Sequence, residues 1–288
     1  MSTGIIAALV AMVCWGVGDF FIQKSARKIG DWQTLFLITL LGTFVLLPFV
    51  WGDIPTLFRG LDKTFFILMG AAGLLFIAAL LEFEALKEGK ISVIEPTWSM
   101  EIPTAAILAS LVLGEAINGS QIMFVVILIF GLILVSYKGG KLSKNFFLEK
   151  GVPISILAAL LMGGPNFFVG WGARETNPLV INFVISLFSL IGSFIFILFK
   201  GKVKETFKHL IEYPKTIVPM MVLDNIAWIA FALAMTLAPI GITVAISESY
   251  IIIAVLLGIF IGKEKLLRYQ YVGLLLAVAG AIALSITI

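Results

Sequence analysis

The sequence predicts an all-α membrane protein, ten transmembrane helices arranged as two inverted five-helix repeats around a central cavity. Three observations carry that expectation. The chain of 288 residues has a mean hydropathy of +1.11, with 60% hydrophobic and 13% charged side chains. Apolar runs of about 20 residues, the length that crosses a bilayer, recur ten times between polar or Gly/Pro breaks. The two halves of the chain share residues at a nearly constant offset.

Composition excludes several classes at once. A soluble domain is nearer half apolar and a quarter charged, and a chain of this size still has a large exterior. Lipid is therefore part of the solvent. The net charge of +3 is small for a nucleic-acid binder, and no nucleic-acid partner is expected. Cys14 is the single cysteine and His209 the single histidine, so there is no disulfide framework, His-based dyad or zinc site. No cofactor is expected. The patterns GxxxxGK[ST], HExxH, GxSxG and CxxC are absent, which argues against an ATP-driven motor or a hydrolase.

The predicted spans are 4–23, 33–52, 64–86, 91–113, 119–137, 152–172, 179–199, 216–237, 240–262 and 269–287. The first lacks a basic lead-in and continues past Asp19 to Gln23, which suits a span better than a cleaved signal peptide. Lys24, Arg27 and Lys28 follow it, and the second run begins at Gln33. The third and fourth are parted only by residues 87–90, the fourth and fifth only by 114–119. Such short connections make neighbours antiparallel. Basic clusters follow the fifth, seventh and ninth runs, headed by Lys138, Lys200 and Lys263. In lipid each run must satisfy its own backbone, so helices are expected; a barrel would need short alternating strands.

Ten spans put the connections after the odd-numbered helices on one face. That face carries 17 Lys and Arg residues, and the other only Arg59, Lys63 and Arg174. The positive-inside rule then places the basic face in the cytoplasm and both termini outside.

The halves align at two offsets. A shift of 147 lays Gly16, Phe20, Phe21, Ala26 and Arg27 on Gly163, Phe167, Phe168, Ala173 and Arg174, with Asp19 on Asn166. A shift of 149 lays Glu115, Gln121, Gly131 and Ser136 on Glu264, Gln270, Gly280 and Ser285. The repeats are read as 1–140 and 150–288. Five helices per repeat invert the second copy, the arrangement of secondary transporters whose site lies near the midplane.

Carboxylates inside the predicted spans are Asp19, Glu82, Glu84, Glu95, Glu101, Asp224 and Glu248. A charge in hydrocarbon costs at least ~2.5–3.5 kcal/mol, so such acids face a wet interior, carry a proton or find a partner. No Lys or Arg lies in mid-span beside them. Glu82 and Glu84 lie within a turn of Lys87 and read as either interfacial or paired with it. Asp19 reads as cavity-lining or paired with Lys24. Glu101, Asp224 and Glu248 are deepest, each about two turns from a span end, and are the leading site candidates. Neutral companions are Trp98, Asn166, Asn225, Trp228 and Tyr250, with Gln23, Trp171, Ser247 and Ser249 nearby. Aromatic faces with carboxylates suit an organic cation; a neutral structural hydrogen bond between helices is the plainer reading of each acid. Gly131 and Gly280 predict close helix packing. Glu115 and Glu264 read as capping or pairing in loops.

The run Trp15-Gly16, Asp19, Lys24 in the first helix, with Leu113-Gly114-Glu115 and Gly262-Lys263-Glu264 ending the fourth and ninth, resembles the drug/metabolite transporter superfamily, in its ten-helix EamA family. The resemblance spans the whole chain. It implies a secondary transporter in a prokaryotic plasma membrane, with helices 1, 3, 4, 6, 8 and 9 lining the cavity and the rest peripheral. Asp19 departs from the small or amide residue usual there and is closer to the acid of small multidrug-resistance relatives, which exchange protons for cations. The expected function is a proton-coupled exporter of a small polar or cationic solute; the alternative is a facilitative or uptake carrier for sugars or other neutral solutes. Monomer and homodimer are both open. A membrane-embedded acid-pair enzyme or a channel fits the repeats less well.

Overall fold

The computed structural model describes residues 2–57, 61–88, 97–136, 151–253 and 267–287, and every regular element among them is helical. Ten of these helices recur below: α1 Thr3–Ile29, α2 Asp31–Val50, α3 Lys63–Glu88, α4 Glu101–Leu113, α5 Gly119–Ser136, α6 Val152–Glu175, α7 Pro178–Phe199, α8 Pro214–Leu237, α9 Ile240–Ser247 and α10 Arg268–Ile286. The short helices Ile54–Leu57 and Val203–Glu212 were not expected from the sequence. Six helices (α1, α2, α3, α6, α7 and α8) are long and apolar enough to cross a membrane; the other four are shorter apolar helices within the described residues. Glu95, Pro96, Glu264 and the predicted ninth span beyond residue 253 lie outside the described residues.

Local chemistry sets the helix ends. The Ser2 hydroxyl accepts the Ile5 N–H at the start of α1. The same helix runs to Ile29, beyond the expected end at residue 23, because Lys24, Arg27 and Lys28 can extend it out of hydrocarbon. Gly30, at φ 94°, then turns the chain into α2, a conformation that glycine adopts without steric cost. Asn177 starts α7, its side chain accepting the N–H groups of Leu179 and Val180 at 2.9 Å each, with Pro178 in the first turn, where no N–H is needed.

The packing has an internal regularity. α1 lies against α8 and α3 against α6; α4 meets α6 and α9 meets α1. The pairs α2–α7, α5–α10 and α4–α9 also pack, as do α3–α7 and α2–α8. Replacing each helix by the one five places on returns the same set of pairs. Glycines make the closest approaches. A Cβ on Gly131 would stand 2.4 Å from the Ala277 nitrogen, and one on Gly280 2.9 Å from the Leu128 Cβ. Both contacts lie between α5 and α10, so these glycines do what the sequence suggested. A Cβ on Gly16 would stand 3.1 Å from the Tyr250 carbonyl, and one on Gly163 3.0 Å from the Glu101 carbonyl. Tyr250 and Glu101 are themselves 149 residues apart, so the two halves repeat a contact as well as a sequence.

Two helices are interrupted. Residues 97–98 are helical and 99–100 form a turn before α4 begins at Glu101. Glu101 is therefore at the first residue of a helix, not two turns inside one. Pro103 contributes: it has no N–H to bond the carbonyl four residues back. α9 stops at Ser247, passes through the 3-10 turn Glu248–Tyr250, and is helical again over 251–253. Glu101 directly follows the first interruption and Glu248 lies in the second.

Candidate functional site

α1, α4, α6, α8 and the α9 interruption converge on a cavity near the middle of the long helices. It leaves about 80 Å³ for the centres of water molecules, room for roughly half a dozen waters. Asp19, Glu101, Asp224 and Glu248 all line it, and each is at most 7% exposed. Asn166, Asn225, Trp228 and Tyr250 line it as well. Trp98, named with them from the sequence, is buried in the hydrophobic core and is not part of this wall.

Each carboxylate has neighbours of a distinct kind. The Asn166 amide donates to Glu101 Oε2 at 2.8 Å, joining α6 to α4. The Tyr250 side chain stands beside Asp19, where the α9 interruption meets α1. These contacts are counterparts under the sequence offsets, since Asp19 corresponds to Asn166 and Glu101 to Tyr250; the acid has changed sides. The Trp15 indole stands beside Asp224. Lys24 stands over the Phe20 ring, 3.9 Å from its centroid, so the expected alternative pairing with Asp19 gives way to Tyr250. Asp19 lies within electrostatic reach of Asp224 and Glu248, and Glu101 of Glu248, Glu82 and Asp19. No Lys, Arg or His lines the cavity among the described residues.

One end of the cavity is aromatic. Trp15 meets Trp228 edge to face, with centroids 5.1 Å apart, and both pack on Phe231 at 4.9 and 5.7 Å. Such edge-to-face contacts leave ring faces available to a cation.

The opposite wall was not anticipated. α2 contributes Leu35, Ile38 and Thr39; α7 contributes Asn182, Ile185, Ser186 and Ser189. The expectation that helices 2 and 7 are peripheral is thus corrected. The physical reason is that α2 and α7 pack on each other beside the cavity, a pairing that uncharged residues make invisible to a search for acids. Asn182 donates to the Pro178 and Trp228 carbonyls, Asn225 to the Ile38 and Met221 carbonyls. Among the described residues both amide oxygens remain for other donors. The signal in the sequence was the Ser and Asn spacing on one face of helix 7.

Other candidates separate. Glu84 pairs with Lys87 at 2.6 Å, whereas Glu82 lines the cavity. Gln23 donates to the Leu86 carbonyl, and Trp171 to Glu175. Glu115 reaches beyond its own loop. It accepts the Ile240 N–H at 2.8 Å and pairs with Arg174, whose other nitrogens donate to the Met235 and Ala238 carbonyls. This clamp ties the ends of α4 and α6 to the α8–α9 corner.

Fold, buried polar cavity and repeated packing define a multi-pass integral membrane protein. The EamA-like transporter family model matches residues 2–137 and again 149–286, and the chain belongs to that family. The uncharacterized protein MJ1333.1 of Methanocaldococcus jannaschii is 30% identical over 138 residues, 47% of this chain and 98% of that relative. That relative is therefore about as long as one half of this chain. A solved crystal structure with 14% sequence identity superposes with a TM-score of 0.75, over 99% of this chain and 98% of its own, a likeness of fold.

Proposed function

We propose that the chain is a secondary transporter that exchanges protons for a small cationic or polar solute by alternating access. It is built from two inverted five-helix repeats, residues 1–140 and 150–288. The observation that carries this reading is the convergence of Asp19, Glu101, Asp224 and Glu248 on one cavity whose described lining holds no basic side chain. Like charges this close in a medium of low dielectric repel strongly, and each bare charge at membrane depth costs at least ~2.5–3.5 kcal/mol. Protons or a cationic solute supply the compensation, and the two compete for the same oxygens. That competition is what couples their opposite movements. The faces of Trp15 and Trp228 add cation–π attraction.

The doubled family match, the packing that maps onto itself and the two interrupted helices support the inverted repeat. Interrupted helices beside the binding site are characteristic of such transporters. A second arrangement, with the halves exchanging conformations, opens the cavity to the other side. The bias of basic residues supports termini outside the cell.

The test is substrate-induced proton movement in liposomes loaded with a pH dye. Amino acids, amines, quaternary cations and sugars are offered to the wild type and to Glu101→Gln, Asp224→Asn and Glu248→Gln. Proton flux triggered by a cationic or amino-acid solute, and lost in at least one variant, is the expected result. Transport of neutral solutes without proton flux, unchanged in all three variants, would replace this reading with a facilitative carrier.

A further inference from the structure

A second cavity opens at the Lys/Arg-rich end of the bundle, between the end of α1, the start of α2, the ends of α3 and α7, and the helix Val203–Glu212; its volume is about 640 Å³. Its charges do not balance. Arg27, Lys28, Lys87, Lys200 and Lys202 line it against Asp31, Glu84 and Glu205. Lys87 is held by Glu84 at 2.6 Å and by Asp31 at 3.5 Å, and Glu205 faces His209 at 3.8 Å. Lys28, Lys200 and Lys202 make no ion pair among the described residues. Two of the three rest on rings instead: Lys28 is 4.4 Å from the Tyr213 centroid and Lys200 5.7 Å from that of Phe196. Holding these ammonium groups together costs repulsion, which a bound anion would relieve.

The same cavity has an apolar wall. Trp32 stacks on Phe196 with centroids 3.8 Å apart, and both line the space. Beside it apolar side chains face outward, Phe199 at 86% and Ile211 at 80% exposure. These lie where α7 ends and α8 is about to begin, at the edge of the membrane-crossing length. Val203, Thr206, Phe207 and Leu210 share one face of Val203–Glu212 at helical spacing, with Glu205, Lys208 and Glu212 on the opposite side. A helix so divided lies in the membrane–water interface. A soluble anion would use the cationic rim but not the stacked rings or the outward apolar surface. An amphiphile uses all three.

We propose that this cavity seats the head group of an anionic membrane phospholipid, its phosphate among Lys28, Lys200 and Lys202 and its acyl chains descending past Phe196 and Phe199. Basic pockets between membrane helices recognise anionic head groups in this way. The site is separate from the carboxylate cavity, and its occupancy does not depend on what the protein transports.

The test is native mass spectrometry of the full chain in detergent, titrated with phosphatidylglycerol or with phosphatidylcholine of the same acyl chains. Phosphatidylglycerol is expected to be retained about tenfold better. Lys200→Gln with Lys202→Gln should lower that retention roughly tenfold. Lys204→Gln with Lys208→Gln, which removes equal charge outside the cavity, should change it less than about twofold. Equal retention of the two lipids overturns the proposal. So does an equal loss in both double variants, which would mean diffuse surface charge. Displacement of phosphatidylglycerol by millimolar glycerol phosphate, itself retained as a complex, would also overturn it in favour of a soluble-anion site.

Discussion

Gly163 and Gly164 are adjacent in α6, and the structure sets them opposite fates on substitution by alanine. A Cβ on Gly163 would stand 2.4 Å from the Thr104 Cβ, 2.7 Å from its Cγ2 and 3.0 Å from the Glu101 carbonyl oxygen. One on Gly164 meets only Leu74 Cδ1, at 3.8 Å. Ordinary contact begins near 3.4 Å, so Gly163→Ala forces α4 and α6 apart by about 1 Å. The Asn166–Glu101 hydrogen bond, 2.8 Å long and one turn further along α6, would stretch beyond hydrogen-bonding range. Overpacking of this kind costs about 1–3 kcal/mol. Both substitutions gain the same helix propensity, about 1 kcal/mol, and that gain cancels when the two variants are compared. Gly163→Ala should therefore be less stable than Gly164→Ala by about 1–3 kcal/mol, a difference of several degrees in apparent Tm for a chain of this size. Thermal unfolding in detergent measures the difference. Proton flux in liposomes then reports whether Glu101 has lost its partner, with Gly163→Ala impaired and Gly164→Ala near wild type. Equal melting temperatures for the two variants would refute the packing argument. A Gly163→Ala protein that is destabilised yet transports normally would refute the link to Glu101.

Arg174→Ala removes three hydrogen-bonding nitrogens and leaves the partly buried Glu115 without its cation. A loss of roughly 3 kcal/mol is expected, read as a lower apparent Tm, with Glu115→Gln losing less because the amide oxygen still accepts from Ile240. Gly131→Ala would drive a Cβ into the backbone of α10 at Ala277, so it should cost about 1–3 kcal/mol while leaving solute affinity unchanged, since α5 contributes nothing to the described cavity lining. Lys63→Ala removes an ion pair with Glu175 in which the lysine is 64% exposed; less than about 1 kcal/mol is expected, and a larger drop in Tm would mean the pair is coupled to Trp171. A Cβ on Gly42 would sit 2.2 Å from Asn225 Oδ1 and 2.7 Å from Ser186 Oγ; Gly42→Ala should weaken solute binding in a flux assay more than it lowers stability.

The sequence by itself determined the class of molecule, because apolar runs long enough to span lipid leave the backbone no alternative to helix. It aligned Gly16 with Gly163 too, and the two glycines stand in similar close contacts in the structure. It also marked the four central acids, as a carboxylate at membrane depth is costly wherever the helix faces. Tertiary structure decided what sequence spacing does not encode. Glu82 and Glu84 are two apart on one helix, and only the placement of Lys87 and of the cavity sends one to an ion pair and the other to the wall. Trp98 and Trp228 look alike in sequence, and packing buries the first in the core and sets the second beside Asp224. Asn182, Ser186 and Thr39 gave no charge to notice, and they reach the cavity because α2 and α7 cross at its edge. Glu115 finds Arg174, 59 residues on, and Ile240, 125 residues on, both in the other half of the chain, meetings that local pattern cannot specify. Helix formation and membrane insertion are governed by local hydrophobicity and propensity. Which faces meet is governed by the size and shape of side chains far apart in the chain, and those meetings assemble the site.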